Sequence, residues 1–131
     1  MTTTNAETKT AQKILIIEDE GEMCLVLNIL LNDEDVELEH VKNLSAAGEY
    51  LEKTRPALII LDNKLPDGYG VDFISYAKKN DPSVRIIMIT GYDSSVRDVA
   101  LENGADIFLE KPFTRNQLLE SIKALLPLSV R

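Results

Sequence analysis

Short, wholly apolar runs alternate with helically spaced segments along this chain. Ile14-Leu15-Ile16-Ile17, Leu58-Ile59-Ile60-Leu61 and Ile86-Ile87-Met88-Ile89 offer no polar position that could face water. Strands covered on both faces by helices read in this way. Val36-Glu37-Leu38-Glu39-His40-Val41 instead alternates apolar with polar, which predicts a strand at a sheet edge. Ile107-Phe108-Leu109 predicts a short fifth strand. Between these runs, spacings of three and four at Met23, Val26, Leu27, Leu30 and Leu31 predict a first helix with one buried face. A small-residue helix follows from about Leu44 to Lys53. A third carries Val71, Phe73, Ile74 and Ala77 and stops at Asp81-Pro82, and a fourth carries Val96, Val99 and Ala100. The last opens with capping-box spacing from Thr114 to Gln117, lines the core with Leu118, Leu119, Ile122, Leu125 and Leu126, and ends at Pro127.

Five strand–helix units in strict alternation predict an α/β fold built on a doubly wound, five-stranded parallel sheet. Each parallel crossover needs a helix, and right-handed crossovers place helices on both faces. One domain is expected over residues 12–126, with a polar, threonine-rich flexible arm at 1–11 and a short tail at 127–131. A chain of 131 residues with 44% hydrophobic content supports one sizeable core.

Charge and cysteine usage narrow the function classes. The net charge of −8 argues against a nucleic acid as direct ligand, because phosphate backbones need a basic face. Cys24 is the single cysteine, so an internal disulfide is excluded, and its apolar setting predicts a near-core residue. No run approaches the roughly 18 apolar residues of a membrane span, and the first residues lack signal-peptide character. A cytoplasmic location is expected. His40, the only histidine, lies on the predicted edge strand and is expected at the surface.

In sheets of this kind ligands gather beyond the carboxyl ends of the strands, where strand order reverses. The residues there are Glu18-Asp19 after the first strand, Asp62 after the third, Thr90 after the fourth and Lys111 after the fifth. Alone, Asp62 would read as a turn residue before Leu65-Pro66-Asp67-Gly68. With two further carboxylates on one rim, mutual repulsion calls for a divalent cation and an ammonium to relieve it. Oxygen ligands of this type suit Mg2+, with Mn2+ as an alternative. A carboxylate beside such a cation can attack phosphorus while the lysine and a threonine hydroxyl stabilise the phosphoryl oxygens. No general base is required.

The segments I-L-I-I-E-D-E, L-I-I-L-D-N-K-L-P-D-G, I-I-M-I-T-G and F-L-E-K-P-F, in this order over residues 12–126, resemble the receiver domain of bacterial response regulators. The resemblance implies a flavodoxin-like (βα)5 fold with strand order 2-1-3-4-5. It implies that Asp62 is the phosphorylation site, that Asp19 binds Mg2+ directly, that Glu18 acts largely through metal-bound water, and that the Lys64 backbone carbonyl completes the protein's share. Lys111 and Thr90 would stabilise the phosphoryl group, Thr90 and Phe108 would form the activation switch, and Lys111-Pro112 would be a cis peptide bond. Lys64 and Tyr92, each two residues beyond a landmark, would tune phosphate lifetime. Both are bulky, which suggests slow self-hydrolysis. Glu18 stands where aspartate is commoner, and Phe108 replaces a frequent tyrosine.

A phosphoacceptor of a two-component or phosphorelay system is therefore expected. It would catalyse only its own phosphorylation and dephosphorylation. The donor would be a sensor histidine kinase or a histidine phosphotransfer protein. With no output domain expected after Leu126, the active form would engage a downstream protein, through the face of the fourth helix, fifth strand and fifth helix, or pass the phosphoryl group on. A monomer or an activation-dependent dimer fits this reading. Two other classes remain: a receiver-like interaction module that is never phosphorylated, and a phosphatase with an aspartyl intermediate. The second is disfavoured because Lys64 stands where a second carboxylate is needed. A flavin carrier on the same fold is disfavoured by the acidic Glu18-Asp19-Glu20 loop, which would repel a flavin phosphate.

Overall fold

The structure, a computed structural model, describes residues 12–32, 34–91 and 94–126. The proposed arm, the proposed tail and Tyr92 lie outside them. Five strands, β1 (Gln12–Ile17), β2 (Val36–Val41), β3 (Leu58–Asp62), β4 (Arg85–Thr90) and β5 (Ile107–Glu110), form one sheet of order β2-β1-β3-β4-β5 with every pairing parallel. This is the flavodoxin-like arrangement expected. Five helices connect and flank the strands: α1 (Gly21–Leu30), α2 (Leu44–Lys53), α3 (Ile74–Asn80), α4 (Arg97–Asn103) and α5 (Arg115–Leu125).

The apolar runs are explained by two cores, one on each face of the sheet. Leu15, Ile17, Ile59, Leu61, Ile86 and Met88 pack with α2, α3 and α4 residues, among them Ala47, Ile74 and Ala100. Ile14, Ile16, Leu58, Ile60, Ile87 and Ile89 pack with Leu27, Leu31, and Leu118 and Ile122 of α5. Successive strand residues point to opposite faces, so a strand buried on both must be apolar throughout. β2 sits at the edge, and its residues alternate between partly buried and exposed for most of its length, as its pattern requires. The capping box of α5 forms as expected: Gln117 N donates to Thr114 Oγ1 at 3.0 Å and Thr114 N donates to Gln117 Oε1 at 2.8 Å.

Several local readings change; among them, Val96 belongs to a 3-10 turn, Ser94–Val96, with α4 beginning only at Arg97, and Phe73 precedes α3. Val26 is exposed because the buried stripe of α1 centres on Leu27 and Leu31, and Val26 lies at its flank. Val99 on α4 is likewise exposed while its neighbour Ala100 is buried. Val71 belongs to a single 3-10 turn, Gly70–Asp72, and α3 begins only at Ile74.

The turn after Asp62 is a small antiparallel hairpin in which Lys64 pairs with Tyr69 and Leu65 with Gly68. The Asp67 carboxylate at its tip accepts from Leu44 N at 2.8 Å and Ser45 N at 2.9 Å, tying the hairpin to the start of α2. Those bonds stabilise the ionised form and hold the Asp67 carboxyl below its usual range.

Candidate functional site

β1 is hydrogen-bonded to β2 on one side and β3 on the other, so strand order reverses at β1. Loops leaving β1 and β3 therefore diverge to opposite faces and leave a crevice above their carboxyl ends. Glu18, Asp19 and Asp62 meet in it, each offering a carboxylate oxygen within 4.8 Å of the others. Asp62 ends β3 at 7% exposure, Glu18 follows β1 at 2%, and Asp19 is exposed at the rim. Lys111 arrives from the far end of β5, its backbone N donating to Thr90 O at 2.8 Å, and its peptide bond to Pro112 is cis. The Lys111 Nζ stands 3.5 Å from Glu18 Oε1, 3.5 Å from Asp62 Oδ1 and 3.9 Å from Glu20 Oε1. Thr90 is buried at the end of β4 and lines the same chamber, of about 860 Å3, with Asp19, Asp62, Lys64 and Lys111.

The electrostatics show a site with too much negative charge. Burial, and then the neighbouring Asp62, pushes the Glu18 carboxyl up to about 7. Burial likewise raises Asp62, opposed by Lys111. Desolvation is the largest single influence on Lys111 and pulls it down, yet Asp62, Glu18 and Glu20 together outweigh it and raise the ammonium's pKa. Three carboxylates against one ammonium leave two uncompensated charges when all are ionised, the deficit that one divalent cation fills. The donors are all hard oxygens, so the residues present fit Mg2+ or a similar cation.

Of the residues singled out from sequence, Glu18, Asp19, Asp62, Lys64, Thr90 and Lys111 converge. Phe108 does not line the chamber. It pairs with Met88 across the β4–β5 ladder and is partly buried against the α2–α4 core. Tyr92 lies outside the described residues. His40 is partly buried, with Nε2 3.1 Å from Asn28 Nδ2, and takes no part in the chamber. Cys24 is near-core as expected, its Sγ 3.6 Å from Glu18 O.

Sequence reading passed over three contributors. Asn63 locks the exit from β3: its N donates to Ile89 O at 3.1 Å, its O accepts from Gly70 N at 2.7 Å, and its Oδ1 accepts from Val71 N at 3.0 Å. Gly70 permits that return, since a Cβ there would lie 2.2 Å from Asp62 O. Glu20, noticed only as part of an acidic loop, is a third partner of Lys111. The glycine in the sequence hinted at a close approach, but what it approaches is fixed only by the fold.

A family model described as the response regulator receiver domain matches residues 14–123. The chain is 34% identical over 118 residues to response regulator protein PilR of Pseudomonas aeruginosa, covering 89% of this chain and 26% of that protein. It is 30% identical over 118 residues to sporulation initiation phosphotransferase F of Bacillus subtilis, covering 89% of this chain and 95% of that one. A solved CheY-like response regulator receiver domain from Methanospirillum hungatei superposes with a TM-score of 0.83 at 31% identity, covering 88% of this chain and 93% of that chain. The chain thus spans about a quarter of PilR and nearly all of the sporulation protein.

Proposed function

The chain belongs to the response regulator receiver domain family, and from that membership we propose that Asp62 is its phosphoryl acceptor. The observation that supports this most directly is the meeting of three carboxylates within 4.8 Å beside an ammonium 3.5 Å from two of them. Glu18, Asp19, Asp62 and the Lys64 backbone carbonyl would hold Mg2+, which when bound neutralises phosphoryl oxygens. An Asp62 carboxylate oxygen attacks phosphorus, and the bond from phosphorus to the donor's histidine nitrogen breaks with its electron pair. The Lys111 ammonium follows the new charge, leaving its carboxylate partners for the phosphoryl oxygens, and the Thr90 hydroxyl donates to one of them.

The donor is a histidine kinase or histidine phosphotransfer protein, and the chain turns over no separate substrate. Thr90 and Phe108 report the new charge to the α4–β5–α5 face, which binds a downstream protein. Beryllofluoride with Mg2+ should shift NMR signals at Thr90, Phe108 and Lys111, and a stationary Phe108 would remove it from the switch. No helix among the described residues is long and apolar enough to cross a membrane. A cytoplasmic site of action is part of this proposal.

The deciding experiment is incubation with acetyl phosphate and Mg2+ followed by intact mass. The wild-type protein gains one phosphoryl group and Asp62→Asn gains none. No gain in the wild type, or an equal gain in both, defeats the assignment.

A further inference from the structure

The hairpin after Asp62 divides two hollows. The phosphoacceptor chamber lies on one side, and a shallower hollow of about 490 Å3, lined by Asp19, Leu65, Pro66 and Gly68, lies on the other. Asp19, Lys64 and Tyr69 line both, and the last two are the paired residues of one hairpin rung. On the returning strand, Gly68–Tyr69, only Tyr69 carries a side chain, so the bulk of the partition on that strand is its ring. The hairpin is clamped at both ends. Asp67 is held by two backbone amides of α2, and Gly70, next to Tyr69, donates to Asn63 O at 2.7 Å. The chamber's lining also includes the apolar Val71 and Val96.

We propose that Tyr69 is a positioning residue that screens the Asp62 acyl phosphate from attacking water and so sets how long the phosphorylated state lasts. The inference rests on Asp62 being the acceptor. In hydrolysis, the water oxygen must approach phosphorus in line with the bond to Asp62 Oδ. That bond then breaks, its electron pair returns to the Asp62 carboxylate, and the water's proton leaves to solvent as inorganic phosphate forms. Approach therefore comes through the chamber that Lys64 and Tyr69 line. A ring held on a clamped hairpin narrows that approach. Removing it admits more water and also admits small phosphodonors, which share the same line of approach.

The test compares the wild type with Tyr69→Ala and Tyr69→Phe, each phosphorylated by acetyl phosphate with Mg2+, and follows both phosphorylation and decay by intact mass. Tyr69 is 54% exposed, so neither variant disturbs the core. Tyr69→Ala should decay on the order of tenfold faster and phosphorylate faster, while Tyr69→Phe matches the wild type. Unchanged decay in Tyr69→Ala overturns the proposal, as does equal acceleration in Tyr69→Phe, which would make the hydroxyl responsible. Slower phosphorylation with faster decay also overturns it, because that pairing means a distorted site and not an opened one. A wild type that gains no mass defeats the acceptor assignment itself, a result distinct from any of these.

Discussion

Replacing Glu18 by Gln should change the pH dependence of stability in a defined window. Glu18 is nearly inaccessible to water and is held to about 7, against 4.5 for an ordinary glutamate, by burial and then by Asp62. Between those values the folded protein keeps a proton that the unfolded chain has released. The stabilisation associated with it is complete below pH 4.5 and is lost as pH rises through about 7. At about 1.4 kcal/mol per pH unit, this displacement is worth about 3 kcal/mol. Other shifted groups contribute: Asp62, also raised by burial, acts with the same sign, and His40, lowered by burial, acts with the opposite one. The difference between wild type and variant removes the His40 part and reports Glu18 together with its coupling to Asp62. Urea unfolding at fixed ionic strength, with chelator, should show Glu18→Gln gaining about 3 kcal/mol on the wild type between pH 4.5 and pH 8. Mg2+ at about 100 times its Kd should then restore about 2.7 kcal/mol to the wild type at pH 8. A wild-type-to-variant gap that stays constant across the window would refute the argument that burial raises the Glu18 carboxyl.

Two further sets of substitutions have expected outcomes. Gly70→Ala would place a Cβ 2.2 Å from Asp62 O and 3.0 Å from Leu61 Cγ, so the backbone must move by about 1 Å, endangering the bond from Gly70 N to Asn63 O. Overpacking and a strained hydrogen bond together cost about 2–4 kcal/mol, and the melting temperature should fall by about 10 °C with phosphorylation slowed; a fall under about 2 °C counts against the close approach. Lys64→Ala with Tyr92→Ala should shorten the phosphorylated lifetime on the order of tenfold in a mass-decay assay, and an unchanged lifetime removes both from the screening of water.

Much of the fold was legible because periodicity is a property of neighbouring residues. Three unbroken apolar strands had to be covered on both faces, and the alternating Val36–Val41 had to lie at an edge, whatever their partners. The capping box at Thr114 was equally local, since its donors and acceptors sit within one turn. The errors fell where a local pattern left a choice. Val26 and Val99 fit a helical stripe, but the packing partner decides which edge of a stripe is covered. Val71 fit a helix start, yet the bond from its N to Asn63 Oδ1 holds it in a turn.

The site divides along the same line. The sequence determined which residue types end the strands, and hence that Glu18, Asp19, Asp62, Thr90 and Lys111 could share one rim. Only the tertiary structure decided how close they come: Lys111 and Glu18, separated by 93 positions, meet at 3.5 Å because four parallel crossovers bring the carboxyl ends of β1 and β5 to the same rim of one sheet. The burial that raises Glu18, the approach that demands glycine at 70, and the rung that sets Tyr69 beside the acceptor are likewise products of distant segments. No periodicity encodes such contacts, because they depend on where the chain returns in space and not on how it repeats along its length.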